Sequence, residues 1–378
     1  MIHQSPSPTQ TGDSITILCT GDVILDVPQP EHWLAGIAPA FARADVVLGH
    51  LEVPHTSNKE EHGTDVPAPG ADPAALAALR EAGFHVMTLA GNHVADCGAA
   101  GINDTISGLQ ALGLAHCGAG QDLAAARRPA LVKVKGRCVA VLSYNCVGPE
   151  SSWAAAQHAG CAFLPVVTRD GGPVAPTSVL TEPCAEAFKV LREDITAARV
   201  VAGLVIVALH KGIVHTPAVI APYERQLAHA AIDAGADVVV GHHAHIVRGI
   251  EFYKGKPVFH GLGNGCVVTH ALDPGQAHPA RAAWAQRRKQ LFGFEPDPAY
   301  TLAPFHPEAV NAFIARVVWH ADGTLDSGIE PVHVDPPGRP RLAQGGERTR
   351  ICTYMTDITR AAGLPALSLQ PEDGRISA

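Results

Sequence analysis

Short apolar runs rich in β-branched residues alternate with helical patterns along most of the chain, and this alternation limits the possible folds more than any other feature. It is typical of layered α/β folds, in which helices connect the strands and cover the sheets. The runs predicted as strands are 15–20, 45–49, 84–90, 137–145, 204–210, 237–240 and 257–261. The segments predicted as helices are 72–82, 104–112, 186–198, 222–234 and 354–362. We therefore expect the α/β class.

The predicted helix at 72–82 has a recognisable signal at each end. Asp72 is a favoured N-cap residue, and Pro73 suits the first helical position, where a backbone N–H would have no partner. Gly83 can adopt the left-handed conformation that ends many helices.

Length and composition predict one large domain. The 378 residues are 47% hydrophobic and 17% charged, which is enough apolar material for a substantial core. We place this domain at 14–333, after a flexible N-terminus at 1–13. Its regular pattern is interrupted at 148–181 and 270–304, which we interpret as insertions that cover the site and contact substrate. Residues 334–378 are predicted as a linker-like segment, the Pro- and Gly-rich run 334–347, followed by a tail.

Charge and hydropathy exclude some classes of partner. The formal net charge is -8 and no basic tract is present, so we expect no nucleic-acid partner. The polar N-terminus and the lack of a long apolar run predict a cytoplasmic protein without a membrane partner. Nine cysteines without a CxxC pair are typical of buried thiols in a reducing compartment.

Polar side chains follow five of the predicted strands, at the points where strands meet loops. They are Asp22, Glu52, Asn92 with His93, His210, and the cluster His242, His243 and His245. Each alone has an ordinary explanation as a cap, a turn former or a hydrogen-bonded core histidine. Ligands bind at the carboxyl ends of strands in open α/β sheets, so the repetition predicts one shared site.

The residue types at these positions suit a metal. Carboxylates, a carboxamide and imidazoles without thiolate favour Mn²⁺, Fe²⁺, Zn²⁺ or Ca²⁺ over a structural zinc site, and the sequence leaves the choice open. His243 and His245 are two residues apart, which in an extended strand end would put both rings on the same face.

Several segments then resemble one family in consistent order. They are Thr20–Val23, Ala44–Val47, Leu51–Pro54, Gly83–Gly98, Gly118–Gly120, Leu209–Gly212, Asp233–His245 and Gly261–Asn264. Over roughly residues 14–265 the chain resembles the CapA-like, poly-γ-glutamate-synthesis type branch of the calcineurin-like metallophosphoesterase superfamily.

The resemblance implies a four-layer α/β/β/α sandwich with a metal centre at the strand ends. The positions that match the family's metal site are Asp22, Glu52, Asn92, His210, His243 and His245. His93 matches the family's acid/base histidine, and Asp96 is placed to orient it.

The chain also departs from the family pattern. His50 stands where the family has Asn before Leu-Glu, Gly91 replaces the first of two Asn residues, and Lys211 replaces a Trp. The family has a Tyr-Ser-Leu-Gly-Asn segment, and in this chain His260 and Gly261 stand in the places of its Tyr and Ser. These changes add bases around the expected site.

The favoured hypothesis is a peptide epimerase. A CapA-like sequence without an apparent anchor is similar to the lasso-peptide epimerases, which invert a Cα centre in a ribosomally made precursor peptide. That reaction needs a base, stabilisation of an enolate, and an acid on the opposite face. We assign His93 with Asp96 to one face, and to the other one of His242, His210 or His260 with a carboxylate such as Asp26. A hydrolase of phosphoester or γ-glutamyl bonds and a noncatalytic peptide-binding module are the alternatives.

Overall fold

The computed structural model describes most of the chain from residue 14 to residue 377. Outside the described part lie 1–13, 59, 63–69, 271–278, 280–282, 284–289, 291–292, 295–296, 303–305 and 378. The predicted flexible N-terminus and most of the predicted insertion at 270–304 therefore lie outside the described residues.

Helices and strands alternate through the first two thirds of the described chain. The strands are β1 Ile15–Asp26, β2 Val46–Leu51, β3 Val86–Thr88, β4 Ala115–Cys117, β5 Ala119–Gly120, β6 Ala130–Val134, β7 Arg137–Asn145, β8 Gly160–Cys161, β9 Val166–Thr168, β10 Leu180–Pro183, β11 Leu204–His210, β12 Val238–His242, β13 Val247–Tyr253, β14 Lys256–Leu262, β15 Asn264–Thr269, β16 Asn311–Trp319, β17 Leu325–Asp335, β18 Arg339–Leu342, β19 Ser368–Leu369 and β20 Ile376–Ser377. The helices are α1 Pro30–Leu34, α2 Ala38–Phe41, α3 Leu76–Ala82, α4 Gly98–Ala111, α5 Leu123–Ala126, α6 Ala185–Val201, α7 Pro222–Asp233 and α8 Gly345–Ala361.

Two mixed sheets make up the centre of the fold. The first has eight strands in the order β18-β17-β16-β1-β2-β3-β4, and β15 pairs with β1 off this path. The second has the order β13-β14-β12-β11-β7-β6. The strands β1, β2, β3 and β4 run parallel to one another, as do β7, β11, β12 and β14. The carboxyl ends of these parallel strands carry the candidate site.

Three apolar cores define the layers. The core between the sheets includes Ile17 of β1 and Ile206 of β11. A second core joins the other face of the first sheet to α1, α2, α3 and α4, and a third joins the second sheet to α6 and α7. The order of layers is therefore α/β/β/α, and the predicted fold class is confirmed.

Most predicted elements are present, and two match to the residue. The strands at 137–145 and 204–210 are β7 and β11. Gly83 ends α3 with a φ of 107°, and Asp72 caps the short 3₁₀ turn before α3 by accepting a 2.9 Å hydrogen bond from the N–H of Ala74. Among the described residues, no helix has the length and apolar character needed to cross a bilayer.

The linker-like interpretation of 334–347 is wrong. The segment contains the end of β17, all of β18 and the start of α8. Pro336, Pro337 and Gly338 form the turn between two antiparallel strands, in which Asp335 pairs with Arg339. The predicted helix at 354–362 is part of the much longer α8.

Helix α8 packs at the edge of the sandwich, against β13 of one sheet and β17 of the other. Its buried residues Ile351, Met355 and Ile358 belong to the core between the sheets. The spacing of three to four residues puts them on one face of the helix. The C-terminal segment therefore completes the core.

Met355→Ala should lower the free energy of unfolding by about 2–5 kcal/mol, because Met355 is fully buried and its truncation leaves a cavity. Thr353→Ala, on the exposed face of the same helix, should change it by less than about 0.5 kcal/mol. Denaturant unfolding measures both. Equal effects would show that α8 is not part of the core.

Candidate metal centre

Asp22 lies within β1 and not at its end, so the predicted end of this strand after Thr20 is wrong. The pairing of β1 shifts register between Cys19 and Asp22, and the strand then continues beside β15. A Cβ at Gly21 would lie 1.8 Å from the backbone oxygen of Gly263, so only glycine permits this close approach. The irregularity puts the Asp22 carboxylate into the interior between the sheets.

Glu52 and His245 join Asp22 in one buried group. Nε2 of His245 lies 3.1 Å from Oε1 of Glu52, and its Nδ1 lies 3.7 Å from Oδ2 of Asp22 and 2.9 Å from Oδ1 of Asn264. Asp22, Glu52 and His245 can each offer one atom within 4.8 Å of the others, which is a suitable arrangement for one metal ion.

A second group adjoins the first. Nε2 of His210 lies 2.7 Å from Oδ1 of Asn92 and 3.1 Å from Nδ1 of His243. The backbone N–H of His243 donates to Oδ2 of Asp22 at 3.1 Å, which links the two groups. The structure thus brings together all six predicted metal-site residues.

His243 and His245 reach the site from a turn. Strand β12 ends at His242, and the φ angles of His243 and His245 are 87° and 52°. The expected extended geometry is therefore wrong, although both rings do enter the site. Non-glycine residues with positive φ are strained and cluster at functional sites.

His93 and Asp96 form the predicted pair. Nδ1 of His93 donates to Oδ2 of Asp96 at 2.6 Å, and both side chains are almost fully buried. The ring also lies near Glu52.

His242 and His260 are placed differently from the expectation. Nε2 of His242 donates to the backbone oxygen of Thr20 at 3.3 Å. Nε2 of His260 lies 3.0 Å from Oε2 of Glu251, and its Nδ1 faces Lys211. Each ring is thus held by a structural partner.

Asp26 is also remote from the carboxylate of Asp22. It is four residues further along β1, about 13 Å for an extended strand, where it accepts a 2.9 Å hydrogen bond from Thr269.

Buried polar atoms around the centre fit a bound cation. Asp22 Oδ1, His50 Nε2, His210 Nδ1 and His243 Nε2 are buried without a hydrogen-bond partner among the described residues. Leaving such an atom unsatisfied costs about 1–3 kcal/mol, so four in one place indicate a missing ligand. Their chemistry, one carboxylate oxygen and three imidazole nitrogens, suits a divalent metal.

Electrostatics support the same conclusion. Burial and the neighbouring Glu52 raise the pKa of Asp22 well above its usual value. Burial also opposes ionisation of Glu52, but the charge and hydrogen bond of His245 lower its pKa to about 2. Two carboxyl groups are thus crowded in a low-dielectric interior, and a divalent cation would stabilise both as anions.

Sequence reasoning did not assign two further histidines to the site. His50 was noted only as a departure from the family pattern, yet it contacts His210 with ring centroids 4.6 Å apart. His215 lies on the loop after β11, and its ring centroid is 6.0 Å from that of His245. A positive φ of 55° at His215 is the structural signal, and it is not visible in the sequence.

The layers and the site define an α/β/β/α sandwich protein with a candidate metal centre at the ends of its central strands. The family described as "Bacterial capsule synthesis protein PGA_cap" matches residues 16–267, and the chain belongs to this family.

Curated relatives agree with this assignment. The chain is 33% identical over 261 residues to a probable polyglutamine synthesis accessory protein of Mycobacterium tuberculosis, covering 63% of this chain and 61% of the relative. It is 28% identical over 284 residues to the capsule biosynthesis protein CapA of Bacillus anthracis, covering 69% and 61%. The chain thus spans about three fifths of the length of these relatives. Among solved structures, a calcineurin-like phosphoesterase from Bacillus subtilis aligns with this chain at 11% identity and a TM-score of 0.37, covering 93% of this chain and 99% of that one.

A network of buried charges lies beside the centre. Lys211 and Arg248 both contact Oε2 of Glu224, at 2.9 and 2.6 Å, and all three side chains are fully buried. Burial opposes ionisation of Glu224, but the two cations lower its pKa to about 2. Lys211 also donates to the backbone oxygen of His260 at 3.2 Å. The network fixes the loop after β11 to α7 and β14.

Glu224→Gln should destabilise the protein by about 3–5 kcal/mol, because it leaves two buried cations without their anion. Glu186→Gln, which breaks an exposed 3.3 Å pair with Lys189, should cost at most about 1 kcal/mol. Denaturant unfolding at neutral pH compares the variants. A small effect of Glu224→Gln would contradict this account of the network.

Mn²⁺ or Zn²⁺ added to chelator-treated protein should raise its melting temperature, since a ligand of the folded state stabilises it by about 2.7 kcal/mol at 100 times its Kd. Asp22→Asn should abolish most of this rise, because Asp22 belongs to the groups that can hold an ion. Asp357→Asn, at an exposed position of α8, should keep it. Calorimetry measures the shift, and its absence in the wild type would refute the metal centre.

Proposed function

We propose that the protein is a metal-dependent acid/base enzyme that inverts a Cα centre in a peptide substrate. The observation that carries the proposal is the buried His93–Asp96 pair at the edge of the candidate metal centre. Metal ligation alone would not require a second, carboxylate-oriented imidazole. Such a pair is the usual form of a general base.

The proton positions follow from the hydrogen bond. Asp96 accepts from Nδ1 of His93, so the proton of the neutral ring lies on Nδ1 and the lone pair on Nε2. Nε2 is then the atom that removes the Cα proton. Divalent ions held by Asp22, Glu52, Asn92, His210, His243 and His245 would act as Lewis acids that stabilise negative charge on the adjacent carbonyl oxygen.

Inversion needs a second acid/base group, and we propose His215. Its ring is close to that of His245, and its backbone N–H donates to the backbone oxygen of Ala244 at 2.8 Å, which holds this part of the loop beside the turn that carries His245. The described ring of Phe294 packs edge-on against His215 at 5.3 Å. This contact supports the expectation that part of the segment 270–304 covers the site.

A peptide substrate is supported by the names of the relatives. One is named for polyglutamine synthesis and another for capsule biosynthesis, and polyglutamine is a polymer of amino acids.

The same names favour a second candidate, hydrolysis of a γ-glutamyl bond by the same centre. The word accessory in the first name also supports a partner protein of the synthesis machinery. The nine cysteines are scattered without a CxxC pair, which supports a reducing, cytoplasmic location.

Incubation in D₂O separates the candidate reactions. We expect the peptide encoded beside the gene for this protein to gain one deuteron at a single Cα with no change in chain length. Shortening of that peptide, or of poly-γ-glutamate used in parallel, would instead establish a hydrolase. Saturable binding without any mass change would establish a binding module. Mass spectrometry of the peptide is the measurement.

His93→Gln should reduce turnover by about 10²–10⁴-fold, the usual contribution of a general base. Asp96→Asn should reduce it by about 10–100-fold, because Asp96 orients the ring. His158→Gln, at an exposed position, is the matched control and should leave turnover unchanged. Full activity of the His93 variant would remove this residue from the mechanism.

Two-base chemistry gives a distinct result for His215→Gln. This variant should lose inversion, yet His93 should still exchange the Cα proton of one stereoisomer with solvent deuterium. Loss of exchange together with inversion would show that His215 is not the second group.

A further inference from the structure

His50 is a buried histidine between two other rings of the site. It precedes Glu52 by two residues on β2 and is 1% exposed. Its ring centroid lies 4.6 Å from that of His210 and 5.0 Å from that of His242, on which it stacks. His242 is itself fixed by its hydrogen bond to Thr20, so the ring of His50 has a defined position.

Hydrogen bonds define which nitrogen of His50 carries the proton. Nδ1 lies 3.1 Å from Oγ1 of Thr88, and the Thr88 hydroxyl donates its only proton to the backbone oxygen of Gly49, at 3.3 Å. Thr88 therefore accepts from His50, and the proton is on Nδ1. Nε2 has the lone pair, and this buried atom has no hydrogen-bond partner among the described residues.

That lone pair belongs to a compact donor group. Asp22, His50 and His210 can each offer one atom within 4.8 Å of the others. This group shares Asp22 with the group of Glu52 and His245, and such sharing is expected when two ions lie side by side.

Gly91 leaves Nε2 of His50 accessible. A Cβ at this position would lie 2.8 Å from Nε2 of His50 and 3.3 Å from Cε1 of His210. Any side chain at 91 would therefore occupy the space in front of the lone pair. His50 and Gly91 are both departures from the family pattern, and the structure shows that they depend on each other sterically.

We propose that Nε2 of His50 is a metal ligand, which adds a third imidazole to those of His210 and His243 at the second metal position. This inference rests on the metal centre of the proposed function. An imidazole-rich position binds Zn²⁺ or Fe²⁺ in preference to Ca²⁺ or Mg²⁺, which favour oxygen donors. With His50 as a ligand, the choice among Mn²⁺, Fe²⁺, Zn²⁺ and Ca²⁺ that the sequence leaves open narrows to Zn²⁺ or Fe²⁺.

The test measures metal binding and does not need a substrate. Chelator-treated protein is titrated with Zn²⁺ and, separately, with Ca²⁺ by calorimetry, and bound metal is counted by elemental analysis after dialysis. The wild type should bind two Zn²⁺ per chain and prefer Zn²⁺ to Ca²⁺. His50→Ala should weaken one of the two Zn²⁺ sites by at least about 10-fold, while His116→Ala, on β4, should change neither.

Gly91→Ala provides the sharper measurement because it leaves every proposed ligand in the chain. The added methyl should displace the His50 ring and weaken the same Zn²⁺ site as His50→Ala does. In the double variant, Gly91→Ala keeps only its 3.3 Å contact with Cε1 of His210, so its further effect should be smaller than in the wild type and the two changes should be non-additive. Circular dichroism of each metal-free variant confirms that it is folded, and His50→Asn replaces His50→Ala if that variant is not.

The outcomes distinguish this inference from the proposed function. Two Zn²⁺ sites with unchanged Kd in His50→Ala would overturn the role of His50 and leave the metal centre standing. No bound metal in the wild type would overturn both.

Discussion

The close burial of Asp22 and Glu52 is the constraint on which the site depends. Two carboxylates in an apolar interior repel each other and lose hydration, so the fold has to surround them with groups that compensate. The first sheet supplies both acids, and the second sheet, through the ends of β11 and β12, supplies His210 and His245. The face-to-face packing of the sheets therefore serves a chemical purpose as well as burying apolar surface.

The sequence predicts the parts of the structure that depend on local pattern. Strands β7 and β11 are apolar runs with clear limits, and the six proposed metal ligands follow from strand ends and family resemblance. The continuation of β1 past Asp22 could not be predicted, because it depends on β15, which is about 240 residues away in the chain. The same holds for β18, whose local composition resembles a linker and whose strand character comes from pairing with β17.

Ring direction is the second feature that the sequence does not determine. His260 was expected at the site because Gly261 and Asn264 follow it in a matching segment, yet its ring contacts Glu251 and Lys211. Lys211 follows the site residue His210, and successive residues of an extended chain point to opposite sides. A basic residue next to a ligand in sequence can therefore belong to a separate charge network, as Lys211 does with Glu224.

The pairing of β1 with β16 has a consequence for biosynthesis. Ile15 at the start of the chain lies beside Trp319, and α8 is made later still. A nascent chain on the ribosome thus exposes one edge of β1 until β16 has emerged. Contacts this distant in sequence form slowly, and open strand edges favour aggregation. The candidate metal ligands are translated before β16, β17 and α8, but the core between the sheets is complete only after these three elements have been made.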